Sequence, residues 1–173
     1  INFKDVRMEY MHPSIQHVLG WSSKDFNVDK LMSLIHPDDI GLMQSKEEAA
    51  LEFLFNKIEP HDILNYKVAY IMRIRTNDGD YKKILQQVRT ISLSEDNFIQ
   101  QVIGVHTDVT YLNVPLDQKI SFLGLNERPS YHSLDPKNLQ FDLLETRSRF
   151  TAQELKTVHA ISKGQTVEQI AES

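Results

Sequence analysis

Leu34-Ile35-His36-Pro37-Asp38-Asp39 is the stretch that decides how this chain is read. Leu34 and Ile35 close one short element, and His36 then stands where a helix N-cap belongs. Pro37 suits the first helical position, because the N–H it lacks would have no partner inside the helix. Asp38 and Asp39 fall in the first turn, against the positive end of the helix dipole. The spacing therefore predicts a helix start rather than a pair of catalytic acids.

Working outward, residues 37–58 form an amphipathic helical pattern. Ile40, Met43, Ala50, Leu51, Leu54 and Ile58 recur at three- and four-residue steps, with Lys46, Glu47 and Glu48 expected to face elsewhere. Met43, Phe53 and Phe55 are expected in the core, and Pro60 stops the helix from running much further. Upstream, residues 3–11 read as a first strand, and His12-Pro13-Ser14 breaks it. Ile15, Val18 and Leu19 then mark a short helix ended by Gly20, and two more short turns precede Leu34.

Downstream the period changes from helical to two. Tyr66, Val68, Tyr70, Met72 and Ile74 alternate with Lys67, Ala69, Ile71, Arg73 and Arg75. Asp78-Gly79 is a two-residue hairpin signal, residues 81–92 form the return strand, and residues 98–107 a third. The result is an antiparallel meander. Ile71 opposes the Tyr66 series, and Ile103 and Val105 oppose Val102, so both faces carry apolar residues. The second face is expected to be covered by a partner or by the chain's own tail.

At 173 residues the chain is long enough for one cored domain and something smaller. A net charge of -5 argues against a protein that coats nucleic acid over its whole surface. With no cysteine, disulfides, thiolate metal sites and cysteine nucleophiles are excluded. The seven histidines show no pair at common ligand spacing. No phosphate-binding glycine loop or GxSxG is present, so neither an enzyme nor a cofactor is expected. Neither a membrane span nor a signal peptide is legible, and a cytoplasmic location is the expectation. A first residue other than Met suggests a fragment.

With Val18-Leu19-Gly20-Trp21, residues 34–39, Arg73-Ile74-Arg75 before Asp78-Gly79-Asp80-Tyr81, and Gly104-Val105-His106-Thr107-Asp108-Val109-Thr110, residues 1–112 resemble a PAS domain of the "PAS fold 3" kind. The resemblance implies an α+β fold, a five-stranded antiparallel sheet with helices on one face, used for sensing, dimerising or both. In a small-molecule receptor of this kind, Trp21, Phe53, Tyr66, Tyr70 and His106 are the residues expected to line the PAS pocket around an unidentified small molecule, although the aromatics fill a core equally well. Asp108-Val109-Thr110 is similar to the motif that couples the last PAS strand to an output segment. A homodimer through the sheet is the expected assembly.

Residues 113–146 read as a linker that is too apolar to be free. Within it, residues 120–125 are expected to be a strand or a run docked on the sheet. From residue 147 the tail carries Phe150-Thr151 with Glu154, a capping box, then Leu155, Val158, Ile161, Gly164, Thr166 and Ile170-Ala171. This helix, glycine turn and second helix resemble the opening of a LuxR-type helix-turn-helix. The whole chain is thus similar to a PAS–LuxR transcriptional regulator of Bacteroidetes-like bacteria. The resemblance ends at Ser173, before a recognition helix. Lys163, Gln165 and Thr166 are the candidate DNA-backbone contacts, and specific binding is expected only if the motif is completed beyond Ser173. The alternative to a DNA-binding regulator is a PAS protein-interaction or small-molecule receptor module without DNA binding of its own.

Overall fold

The computed structural model describes residues 1–139; the LuxR-like tail, with Lys163, Gln165 and Thr166, lies outside the described residues. Two short helices, α1 (Ile15–Leu19) and α2 (Val28–Leu34), lead into the long helix α3 (Pro37–Asn56). The helix start is built as its residues dictate. His36 is the N-cap, and its ring nitrogen Nδ1 accepts the Asp38 N–H at 3.2 Å, with Pro37 following. Gly20 ends α1 with φ at 77°, and its α-carbon lies so close to Asn77 that an added Cβ would stand 3.0 Å from that side chain.

Three strands follow: β1 (Tyr66–Arg75), β2 (Tyr81–Leu93) and β3 (Ile99–Asp108). They form the expected antiparallel meander. The first hairpin is wider than a two-residue turn. Thr76 N–H donates to the Asp80 carbonyl at 2.8 Å, the Thr76 hydroxyl bonds Asp78, and only Gly79 adopts positive φ. Asp78 therefore never enters the left-handed region that the shorter turn would demand of it.

The sheet has five antiparallel strands in the order β3-β2-β1-β4-β5, where β4 is Ile120–Gly124 and β5 is Tyr131–Leu134. The run at residues 120–125 is thus a strand paired to β1. The first strand expected at residues 3–11 does not form. Asn2 makes single bridges to Arg7 and Gln101, and Val6 turns the chain with φ at 50°. A valine held there cannot continue a ladder. The segment only edges β3, with Phe3 N–H donating to the Gln100 carbonyl at 2.8 Å.

The core lies between α3 and one face of the sheet. Phe53 stacks on Phe122 with centroids 4.0 Å apart and meets the edges of Tyr66 and Tyr131. Met43, Ala49, Ala50 and Leu54 complete the buried stripe of α3. The expected core stripe of that helix is corrected at four positions. Ile40, Leu51 and Phe55 are exposed, whereas Lys46 is almost fully buried. Lys46 stands three residues after Met43 and four before Ala50, so its position lies on the inward stripe whatever its charge.

Candidate functional site

The site begins with how α3 is fixed to the sheet. Asp39, in its first turn, accepts the Arg73 backbone N–H at 2.9 Å and grips the Arg73 guanidinium with Nε at 3.0 Å and Nη2 at 2.5 Å. Burial alone would raise the Asp39 carboxyl, but the hydrogen bonds and charge of Arg73 outweigh it and hold the pKa below the usual carboxylate range. One strand residue thereby sets both the position and the rotation of the helix.

With α3 held in place, its middle turns leave a cleft of about 70 Å³ over the sheet. Ala50, Leu51 and Leu54 form the helical wall, Tyr66, Val68, Val88, Thr90 and Val102 the floor, and Phe3 and Ile99 the rim. Glu47 sits at one end. The Tyr70 hydroxyl donates to its carboxylate, and the Gln86 amide donates to the Tyr70 oxygen at 2.7 Å. Burial, then the nearby Glu47 charge, raise the Tyr70 pKa, so this phenol stays protonated, donating to Glu47 while accepting from Gln86. The cleft is apolar with a polar end, but its volume is well below the roughly 300–1,000 Å³ of a drug-sized ligand pocket, so a ligand of that size would need α3 to move off the sheet.

A smaller cavity of about 10 Å³, the size of a single water, lies beside Asp39, Met43, Lys46 and Asp117. The Lys46 ammonium donates to the carbonyls of Ile71 and Asp117, each at 3.1 Å. Burial lowers its pKa, partly offset by Asp117 and Asp39. Lys46 thus fastens the connection between β3 and β4 to the edge of β1.

The five residues expected to line one pocket are dispersed. Tyr66 lines the cleft. Tyr70 anchors its polar end and borders the small cavity. Phe53 is consumed by ring packing in the core. His106 lies on the helix-facing side of β3 opposite Gln86, where burial lowers its pKa. Trp21 is elsewhere: its indole N–H donates to the Arg75 carbonyl at 3.3 Å and its ring stacks beneath Lys30. Sequence reasoning missed Glu47, Gln86 and Thr90. The signal for Gln86 and Thr90 was their period-two register with Ile84 and Val88.

A second group links the helices to the end of the meander. Lys82 Nζ donates to the Val18 carbonyl at the end of α1, at 2.7 Å, and pairs with the Asp108 carboxylate at 3.0 Å. Asp108 also accepts the Thr110 N–H at 3.0 Å. Its carboxyl is raised by burial, but Thr110 and Lys82 bring it below the usual range.

None of the curated proteins matches the chain. Among solved structures, it is similar to the N-terminal domain of a diguanylate cyclase with PAS/PAC sensor from Marinobacter aquaeolei. The identity is 19%, the TM-score 0.49, and 66% of this chain and 94% of that one are covered. It is also similar to a sensory box histidine kinase/response regulator from Burkholderia thailandensis E264, at 21% identity and a TM-score of 0.46, covering 63% of this chain and 72% of that one. No helix among the described residues is long and apolar enough to cross a membrane. Residues 8–106 match the PAS fold family, more than half of the chain, and the chain belongs to that family.

Proposed function

We propose that this PAS domain is the signal-receiving part of a cytoplasmic transcriptional regulator whose LuxR-type tail carries the response to DNA. The signal is a small molecule taken into the cleft under α3, and the working form is a homodimer. No catalysis is assigned to it. The observation that carries the sensing step is the Lys82 bridge, which ties the end of α1 to Asp108 at the point where the chain leaves the meander. A change in how the helices sit over the sheet would move Lys82, and through it the start of the outgoing segment. The DNA-binding part rests on the sequence motif at residues 150–171.

Two measurements separate these parts. Lys82→Met should raise hydrogen exchange at Val109, Tyr111 and Leu112 while leaving the β1–β2 amides protected; unchanged exchange there would sink the coupling. Recovery of genomic DNA fragments on the natural full-length protein tests the tail. No enrichment over a non-specific control would remove DNA binding and leave sensing intact. A second reading, a protein-interaction module, is favoured by Ile103 and Val105, which stand 52% exposed on the sheet face away from the helices.

A further inference from the structure

The outward face of the sheet has a charge pattern that its composition hides. Cross-strand register places Leu123, Lys67, Arg89 and Ile103 in one row across four strands. The next row is Ser121, Ala69, Gln87 and Val105, and further along Arg73 lies directly opposite Lys83. No outward position on β1 to β4 is Asp or Glu, although the whole chain carries a net charge of -5. Like charges directly opposite one another destabilise an antiparallel pair, and this face has two such pairs. Arg73 is relieved by Asp39. The other pair has no such relief: among the described residues neither Lys67 nor Arg89 makes an ion pair, and Arg89 Nε donates only to the Leu64 carbonyl at 3.0 Å. Beside them Ile103 and Val105 remain half-exposed.

We propose that this face docks an acidic amphipathic segment of a partner protein. Its apolar side would cover Ile103 and Val105, and its carboxylates would pair with Lys67 and Arg89. Charge complementarity selects that occupant over a second copy. Stacking two copies of this face about a two-fold axis through its centre would set cations against cations, which disfavours a second copy as the occupant. The inference holds whether or not the tail binds DNA. The geometry also sets the length of the segment. From Lys67 to Arg75 the strand spans about 26 Å at ~3.3 Å per residue, which a helix of about 17 residues matches.

The test uses the full chain and two labelled synthetic peptides of that length. Both carry Leu at i, i+3, i+4 and i+7; one fills the remaining positions with Glu and the other with Lys. By fluorescence anisotropy the Glu peptide should bind saturably and more weakly as salt rises, while the Lys peptide should not bind. The Lys67→Glu/Arg89→Glu double variant and Val105→Asp should each weaken the Glu peptide by about tenfold or more, whereas Lys67→Arg should bind like the parent. All these side chains are exposed or half-exposed, and a matching thermal melt checks that each variant is folded. The proposal is overturned if both peptides bind alike or if the variants leave binding unchanged. It is equally overturned if the chain ignores the Glu peptide and binds phosphatidylglycerol vesicles instead. Self-association that Val105→Asp abolishes would give the face to a second copy and refute it too.

Discussion

Replacing Asp39 with asparagine tests the junction that holds α3 on the sheet. The side chain keeps its shape and one carbonyl oxygen, so the Arg73 backbone N–H retains an acceptor. What is lost is the charge and the two-pronged grip on the guanidinium. Removing one partner of a buried ion pair costs about 3–5 kcal/mol. The Arg73 side chain is 26% exposed and can recover some hydration, whereas that of Asp39 is only 5% exposed. Those two facts place the expected loss near the lower bound, at about 3 kcal/mol. For a folding unit of this size that is a fall in Tm of about 10 °C. Urea denaturation of Asp39→Asn, Arg73→Met and the double variant gives the coupling directly, and the double variant should lose clearly less than the sum of the singles. The pH dependence supplies a second check. The folded-state pKa of Asp39 is depressed, so its contribution is complete above the unfolded value near ~3.9 and disappears as pH falls through the folded value. The parent should therefore lose its advantage over Asp39→Asn on acidification. A loss below about 1 kcal/mol, the scale of an exposed pair, together with additive singles, would refute the reasoning.

Three further outcomes follow from the geometry. Phe122→Ala removes the ring stacked on Phe53 and should cost about 3–4 kcal/mol in chemical denaturation; a cost under about 1 kcal/mol would mean that β4 does not seal the core. Gly124→Ala places a Cβ 2.1 Å from the Arg128 carbonyl oxygen. Overpacking of that kind costs about 1–3 kcal/mol, and an unchanged melting curve would contradict the tight turn between β4 and β5. For His106 the folded pKa is depressed by burial. Between that value and the unfolded one near ~6.5 the unfolded chain binds more protons, so stability should fall as pH drops through this window. His106→Gln should flatten that slope, and identical pH profiles for the two proteins would discount its burial.

Local chemistry was legible in the sequence where neighbours in the chain decide it. His36, Pro37 and the aspartates make a helix start from within four residues, and the period-two run from Tyr66 made β1 readable without knowing its partners. The misreadings occur where distant residues decide. Residues 3–11 have strand-like composition, yet the free edge of β1 is taken by β4, and residues 1–3 merely border β3. Lys46 reads as a solvated residue until the carbonyls of Ile71 and Asp117 appear beside its ammonium. Trp21 was expected in the pocket because aromatics line pockets, but its N–H had a carbonyl to satisfy at the end of β1. Of the cleft, Tyr66 was readable from its position on the inward face of β1. Glu47 was not, since an exposed glutamate on a helix gives no sign that a tyrosine on β1 will donate to it.

The strand order also sets a sequence of events. The hairpins of β1 to β3 join residues close in the chain, whereas β4 can add to β1 only after the intervening meander has closed a long loop. The strand pair that arrives last supplies Phe122 and Tyr131, two of the rings around Phe53. It is therefore the natural first piece to come away in a partial opening, and its departure would leave Phe53 wet while β1 to β3 keep their hydrogen bonds. Native-state hydrogen exchange should find the β4 and β5 amides opening together at a lower free energy than those of β1 and β2. Equal opening energies across all five strands would mean that the sheet comes apart as a single unit.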